Sequence, residues 1–250
     1  TETMSNTLEG KNILVIGAAG GIGTALLTQL ADAGAKAHAT SRDESRLEAI
    51  ENAESKHTLD AADHQATSEL IASLAKQDAL HGIVNLAGSI ILKPAHATTP
   101  DDFQNTINTN LLTAFNVVRA AGKSLARQDG GASVVLMSSA VATHGYPAHE
   151  AITAAKAGVE GLARAAAASY APKLLRFNCV APGLARTPLS DDIFNSEPML
   201  KASLDMHADG NPAEPEQAAS AIAWLLHPLQ QHVTGQTIAV DGGLSRVHAK

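Results

Sequence analysis

The amino-acid sequence predicts an α/β protein built on a doubly wound sheet of about seven parallel strands with helices on both faces. Short β-branched runs alternate with longer segments of helical periodicity along the whole chain, which is the order that right-handed βαβ units produce. The 250 residues are 45% hydrophobic, yet they include only four Phe, two Tyr and one Trp. A core made mainly of Ala, Val, Ile and Leu suits helices packed on a buried parallel sheet.

The first strand and the first helix have the clearest patterns. Residues 12–16 form a continuous apolar run that Gly17 ends, and from Ile22 to Gly34 apolar residues recur at the spacing of one helix face. The same two periodicities predict the remaining elements. Further strands are predicted at 36–40, 56–59, 82–85, 133–137, 175–180 and 237–240, and further helices at 69–76, 102–126, 150–169 and 215–226.

No linker or internal repeat divides the sequence, so residues 10–250 are predicted to form one domain preceded by a flexible segment, residues 1–9. That polar segment lacks the basic-then-apolar order of a signal peptide. No run of about 18–20 apolar residues is present to cross a bilayer. We therefore expect a cytoplasmic protein with no membrane partner.

Charge and cysteine content exclude several function classes. The formal net charge is −7 and the pI about 5.8, so the chain has no general basic field to attract polyphosphate backbones, and no nucleic-acid partner is expected. A single cysteine, Cys179, excludes an internal disulfide and a multi-cysteine metal site. We expect an inert strand thiol at Cys179 and no metal site.

A glycine-rich turn joins the first strand to the first helix. Gly17, Gly21 and Gly23 allow a sharp turn and a close approach of the backbone to a pyrophosphate. The free N–H groups at the start of the helix, around Ile22, would then bind the phosphates. Taken alone, the pattern also fits an ordinary βα turn.

Several further motifs follow in order, and together they resemble the classical short-chain dehydrogenase/reductase family from about residue 10 to residue 246. The resemblance implies a Rossmann-type fold, a nicotinamide cofactor, a small-molecule substrate, and assembly as a homodimer or homotetramer. The motifs are Gly17, Gly21 and Gly23; Asn85, Ala87 and Gly88; Pro182, Gly183 and Thr187; and the segments 234–235 and 241–243.

The tip of the second strand favours NADP(H), although NAD(H) stays open. Relatives specific for NAD place an acid at the position of Ser41, whereas Arg42 stands where NADP-dependent relatives carry a base that binds the 2′-phosphate. Against NADP(H), Gly20 occupies a loop position that is basic in many NADP enzymes, and Arg42 could simply pair with a neighbouring acid. Asp60 resembles the adenine-binding acid of the family.

The catalytic residues of the family are Ser, Tyr and Lys, assisted by an Asn. The resemblance places these roles on Ser139, Lys156 and Asn110. The position of the tyrosine, four residues before Lys156 and thirteen after Ser139, is occupied by Ile152. Tyr146 matches the aromatic Gly-x-Pro loop of the family without a gap, so the sequence predicts an atypical site without the tyrosine.

Three explanations of this departure remain open. His149 could replace the tyrosine as acid, since it would share a helix face with Ile152 and Lys156 if the helix began early enough. Alternatively, the substrate is a quinone, an iminium or an α,β-unsaturated carbonyl that needs little acid catalysis. In the third explanation the fold has lost hydride transfer and acts as a non-redox catalyst or as an NADP(H)-binding regulator. Because Ser139, Lys156 and Asn110 are all present, an oxidoreductase with altered proton delivery is preferred.

A lid over the substrate is expected at residues 188–210, because the family carries its insertion there. The segment mixes apolar residues such as Phe194 and Met206 with several acids and has no basic cluster. An apolar inner face would suit a largely apolar substrate, whereas a merely amphipathic lid would carry no information on the ligand. The missing basic cluster argues against an acyl-carrier protein as the partner.

Overall fold

Seven parallel strands form one sheet in the computed structural model, which describes residues 8–247. Their spatial order is β3-β2-β1-β4-β5-β6-β7, and every neighbouring pair is parallel. The predicted fold class, a doubly wound Rossmann-type α/β sheet, is confirmed. The strands are β1 Asn12–Ile16, β2 Lys36–Ser41, β3 Ser55–Thr58, β4 Leu80–Asn85, β5 Ala132–Met137, β6 Leu175–Pro182 and β7 Thr237–Val240.

Helices connect the strands and cover both faces of the sheet. Where the sequence predicts helices the structure contains them, but the helix predicted at 69–76 begins earlier because Asp63 caps its first turn by accepting from the N–H groups of Gln65 and Ala66. Three short helices, α2, α7 and α8, are additional to those predicted. The helices are α1 Gly21–Asp32, α2 Glu44–Glu48, α3 His64–Gln77, α4 Pro100–Ile107, α5 Thr113–Leu125, α6 Glu150–Tyr170, α7 Asp191–Phe194, α8 Glu197–Met206 and α9 Pro215–Leu226.

The long helix predicted at 102–126 is interrupted by a π-turn. Residues Asn108–Leu112 form this turn between α4 and α5, and Thr99 caps the start of α4 through a capping box with Asp102. A π-turn inside an α-helix carries one extra residue per turn and is frequent at functional sites. Here it contains Asn110, one of the predicted site residues.

Both faces of the sheet are apolar, which explains why the central strands have continuous rather than alternating apolar sequences. Along β1, Ile13 and Val15 face a core shared with α1 and α9, whereas Leu14 and Ile16 face a core shared with α3, α5 and α6. All four side chains are almost completely buried. The rigid sheet between these two cores holds the loops at its carboxyl edge in fixed positions.

The order in which strands are added to the sheet changes side between β1 and β4. These strands are neighbours in space, while β2 and β3 extend to one side and β5, β6 and β7 to the other. In such sheets ligands bind beyond the carboxyl ends of the strands at this switch point.

The start of the described chain is already attached to the domain. Leu8 is buried beside α1, and the Gly10 N–H donates to the Gly34 carbonyl at 2.8 Å. Of the segment predicted to be flexible, residues 1–7 lie outside the described residues, and Leu8 belongs to the core rather than to that segment. Within residues 8–247 no helix is long and apolar enough to span a membrane.

Candidate active site

A cleft of about 980 Å³ lies at the switch point, beyond the carboxyl ends of the strands. It is lined by nearly all of the residues that the sequence singles out for cofactor binding or catalysis. They are Gly17, Gly21, Ile22, Gly23, Ser41, Arg42, Asp60, Ala87, Gly88, Asn110, Ser139, His149, Lys156, Pro182, Gly183 and Thr187.

The glycine turn forms one wall of the cleft, and Gly17 and Gly21 in it are closely packed. Gly17 has a φ of +79°, and a Cβ on it would lie 3.1 Å from the Ala87 nitrogen. A Cβ on Gly21 would lie 2.8 Å from Thr187 Cγ2. No side chain caps the start of α1, and its first turn holds no acid, so its N–H groups face the cleft available for an anion.

The tip of β2 carries Ser41 and Arg42 into the cleft. Ser41 Oγ accepts from the Asp43 N–H at 3.1 Å, and Asp43 in turn caps α2. Arg42 is exposed and forms no ion pair with a carboxylate anywhere in the described chain. The alternative in which Arg42 pairs with Asp43 or Glu44 is therefore not the arrangement observed.

One predicted cofactor residue does not line the cleft. Asn85 is buried beneath the loop after β4, where its Oδ1 accepts from the Ala87 N–H at 3.2 Å and its Nδ2 donates to Thr113 Oγ1 at 3.4 Å. Asn85 is predicted as a cofactor-binding residue; in the structure its amide shapes the loop that carries Ala87 and Gly88. Asp60 lines the cleft, and its carboxylate accepts from the Ala62 N–H at 3.0 Å.

The two serines after β5 have different environments. Ser138 is buried and donates to Glu160 Oε1 at 2.8 Å, so its hydroxyl is engaged inside the protein. Ser139 is half-buried, and its Oγ accepts only a long contact of 3.5 Å from the Val141 N–H. Ser139 is therefore the serine whose hydroxyl is available to a ligand.

Lys156 and Asn110 converge on Gly88. A Cβ on Gly88 would lie 3.0 Å from Asn110 Oδ1 and 3.4 Å from Lys156 Nζ. The Lys156 ammonium donates to the Met137 carbonyl at 2.9 Å, and burial lowers the pKa of Lys156 to about 8. A buried ammonium with so few protein acceptors is suited to bind a ligand hydroxyl.

Asn110 is held by the loop that follows Gly88. Its Nδ2 donates to the Ser89 hydroxyl at 3.1 Å and to the Thr106 carbonyl at 3.0 Å, and its Oδ1 accepts from the Ser89 N–H at 3.3 Å. The π-turn therefore fixes the amide against the cleft wall. Ser89 also lines the cleft, although no motif in the sequence identifies it.

Ile152 lies in the cleft wall and is 3% exposed, on the same helix as Lys156. The chain has two tyrosines, and both hydroxyls are directed elsewhere. Tyr146 donates to the Leu244 carbonyl at 3.1 Å, and burial raises its pKa. The Tyr170 hydroxyl lies against Gly122 on α5, with its ring on Phe177.

His149 lines the cleft but is not part of the helix. It is the N-cap of α6, which begins at Glu150, so the shared helix face expected for His149, Ile152 and Lys156 does not form. The His149 Nδ1 lies 2.7 Å from the Pro147 carbonyl, which can only accept, so Nδ1 carries a proton. The other ring nitrogen, Nε2, is left for a ligand.

The predicted lid contains α7 and α8, and His207 at its end fixes it to the cofactor side of the cleft. His207 is buried; its Nδ1 donates to the Ser203 carbonyl at 2.8 Å, and its Nε2 accepts from the Leu184 N–H at 3.1 Å. A Cβ on Gly183 would lie 2.5 Å from this Nε2. The glycine after Pro182 is thus required by the close approach of the lid.

Many apolar side chains also line the cleft. Outside the β2 tip, α2 and Asp60, the ionisable side chains among the described lining residues are those of His149, Lys156 and His207. The apolar lining residues include Ile90, Leu92, Val141, Ile152, Leu189, Ile193, Met206 and Leu244.

Comparison with known proteins identifies the family. A family model described as enoyl-(acyl carrier protein) reductase matches residues 17–245. A tropinone reductase homologue of Arabidopsis thaliana is 34% identical over 248 residues, covering 96% of this chain and 92% of the relative. A short-chain type dehydrogenase/reductase from Mycobacterium ulcerans superposes with a TM-score of 0.89 at 25% identity, over 97% of this chain and 92% of that one. The chain belongs to the short-chain dehydrogenase/reductase family.

A further solved structure, ElxO with NADP bound, matches with a TM-score of 0.86 at 27% identity, over 94% of this chain and 98% of that one. As a member of the short-chain dehydrogenase/reductase family, the protein described in this structure is an oxidoreductase. The family binds NAD or NADP and acts on small molecules. The cleft fits such a nucleotide. The cradle at Gly17, Gly21 and Gly88 leaves no space for a Cβ, while the free start of α1 faces it.

Arg46 is a charged residue of the cleft that the sequence analysis did not identify. Arg46 on α2 lines the cleft, and its Nη2 donates to the Ala19 carbonyl at 2.5 Å. Nothing in the spacing of Arg46 from the glycine turn signals this contact, because the two segments meet only through the fold.

Proposed function

We propose that the protein is an NADP(H)-dependent oxidoreductase that transfers hydride to a largely apolar small molecule whose acceptor group is already activated. A quinone, an iminium, or an alkene conjugated to a carbonyl accepts hydride without strong acid assistance; a simple ketone is the less favoured carbonyl substrate. The observation that carries the proposal is the buried side chain of Ile152 in the cleft wall, which Lys156 and Ser139 also line. An aliphatic side chain cannot donate a proton to the oxygen of a reduced carbonyl.

The retained polar residues support hydride transfer rather than a binding role alone. When bound, the nicotinamide nucleotide supplies the hydride. The Ser139 hydroxyl is free to donate to an acceptor oxygen or nitrogen, and Lys156 Nζ, which donates to one carbonyl in the protein, would hold a ribose hydroxyl. General acid–base groups contribute about 10²–10⁴-fold, so an activated acceptor can react without one.

His149 is the alternative source of the proton. With Nδ1 donating to the Pro147 carbonyl, a protonated ring presents Nε2–H to the cleft, and a neutral ring presents an acceptor there. Its position in the lining and the half-buried ring support this role. Water held near Ser139 is the other source, and a variant of His149 separates the two.

The preference for NADP(H) is proposed from the β2 tip. A serine at position 41 leaves no carboxylate to accept from a ribose 2′-hydroxyl, and the unpaired guanidinium of Arg42 attracts a 2′-phosphate. The relative solved with NADP bound supports this choice. NAD(H) remains the second cofactor to be tested.

Assembly as a homodimer or homotetramer is also proposed. Phe103 on α4 and Phe115 on α5 are 44% and 48% exposed, which leaves two large apolar rings on the outer surface of the long helix pair. Light scattering on the purified protein would test this, and a monomer at micromolar concentration would contradict it.

The central experiment measures NADPH oxidation with a quinone, a cyclic iminium, an α,β-unsaturated ketone and a saturated ketone. We expect turnover with an activated acceptor and little with the saturated ketone. Ile152→Tyr should raise saturated-ketone reduction at least about tenfold, because it restores a proton donor beside Lys156. Ile152→Phe is the matched control, with the ring but no hydroxyl, and should give no increase.

Two results would contradict the proposal. Wild-type turnover of saturated ketones as fast as of quinones would mean that proton delivery is intact. No oxidation with any acceptor, together with tight NADPH binding, would favour a non-redox catalyst or a regulatory NADP(H)-binding protein. His149→Gln assigns the proton: a loss of about tenfold or more supports His149, and unchanged kinetics support water.

A further inference from the structure

We infer that Arg46 is a second determinant of cofactor specificity, which binds the 2′-phosphate of NADP(H) together with Arg42. The inference rests on the proposed NADP(H) preference and extends it to a residue on a different element, the short helix α2. No sequence motif marks Arg46, and only the folded chain brings it to the nucleotide cradle.

The position of Arg46 follows from the capping of α2. Asp43 Oδ1 accepts from the Arg46 N–H at 3.1 Å and from the Ser45 hydroxyl at 2.7 Å, which fixes the first turn of the helix. The Arg46 side chain then extends to the turn between β1 and α1, where its Nη2 donates to the Ala19 carbonyl at 2.5 Å.

This contact places a positive charge where the glycine turn itself has none. Ala19 precedes Gly20, the position that is basic in many NADP-dependent relatives. The guanidinium of Arg46, which belongs to α2, therefore provides a positive charge next to a turn that has no basic residue of its own. Arg42 also lines the cleft, and it directly precedes Asp43, the N-cap of α2, so both arginines belong to neighbouring segments of the cleft lining.

The charge of Arg46 is available to a ligand. Across residues 8–247 no carboxylate forms an ion pair with either Arg42 or Arg46. A guanidinium has five N–H donors, and the contact with Ala19 uses only Nη2, so donors remain to form charge-assisted bonds with a phosphate. Asp43 also lines the cleft, and its Oδ1 is occupied by the capping bonds; those hydrogen bonds lower the pKa of its carboxyl more than the charge of Arg46 does.

The test is calorimetric titration of the purified protein with NADP⁺ and with NAD⁺. We expect Arg46→Ala to weaken NADP⁺ binding by about tenfold and NAD⁺ binding by less than about twofold, because only NADP⁺ carries the 2′-phosphate. Arg46→Lys keeps the charge but not the planar fork and should lose about threefold for NADP⁺. Arg127→Ala, an exposed arginine outside the cleft, is the control for the same change in net charge.

Equal weakening of both nucleotides by Arg46→Ala would overturn the inference, because it would assign Arg46 only to the support of the glycine turn. Unchanged NADP⁺ binding would overturn it as well. A wild-type protein that binds NAD⁺ more tightly than NADP⁺ would instead contradict the proposed preference itself. If the ratio of NADP⁺ to NAD⁺ affinity in Arg46→Ala equals that of the wild type, the proposed preference stands and only the role of Arg46 is removed.

Discussion

Replacing Lys156 by Met should stabilise the protein without nucleotide and weaken its binding of nucleotide. Lys156 is 6% exposed, and burial lowers its pKa from 10.5 to about 8. At 1.36 kcal/mol per pKa unit, keeping the ammonium charged in the folded protein costs about 3 kcal/mol at neutral pH. The hydrogen bond from Nζ to the Met137 carbonyl recovers about 1 kcal/mol of this cost.

The net gain expected for Lys156→Met is therefore about 2 kcal/mol, which corresponds to a rise in Tm of about 4–8 °C for a domain of this size. The long, apolar Met side chain fills nearly the same volume, so packing should be retained. Saturating NADP⁺ should raise the Tm of the wild type, since it binds only the native state, and should raise that of the variant much less.

The pH dependence of the free energy of unfolding independently checks whether the buried Lys156 destabilises the folded protein. A lysine whose pKa is lower in the folded state leaves the unfolded chain with more bound protons between about pH 8 and 10.5. Wild-type stability contributed by Lys156 should thus rise with pH across that window, and the rise should be absent in Lys156→Met. A variant that is folded but less stable than the wild type at pH 7, without nucleotide, would refute the reasoning.

Two further predictions concern groups outside the cleft. Burial raises the pKa of Cys179 to about 12, so its thiol should react with a disulfide reagent only at the rate of global unfolding; rapid reaction under native conditions would contradict this. Burial also lowers the pKa values of His38, His57 and His81, so the unfolded chain takes up protons first as the pH falls below 6.5. Urea denaturation should show stability declining from pH 7 to 5, with a smaller decline in His57→Gln; a flat profile in the wild type would refute the assignment.

The fold was readable from the sequence because its signals are local. A parallel strand buried on both faces is an apolar run such as Asn12–Ile16, and the helices that pack on it carry apolar residues at a fixed period. Of the elements that were missed, α2 and α7 have five and four residues, so periodicity over about one turn is too weak to predict them. The lid helix α8 has ten residues but none of them is fully buried, so it lacks a clear apolar face.

Much of the candidate site was also local, since most of its motifs directly follow strands whose carboxyl ends meet at one edge of the sheet. Gly17 follows β1 and Ser139 follows β5. The structure differs from expectation where the orientation of a side chain matters more than its position along the chain. Asn85 ends a strand as predicted, but its amide turns under the loop, and His149 precedes the helix that was expected to include it.

By itself the sequence determined the sheet, the glycine turn and the isoleucine four residues before Lys156, because each of these is a property of residue identity and spacing along the chain. Only the tertiary structure decided that Arg46 reaches the Ala19 carbonyl and that Lys156 is buried with a lowered pKa. Side-chain contacts and desolvation depend on segments that are distant in sequence. Hydrogen bonds between such segments produce no periodic or local pattern in the amino-acid sequence.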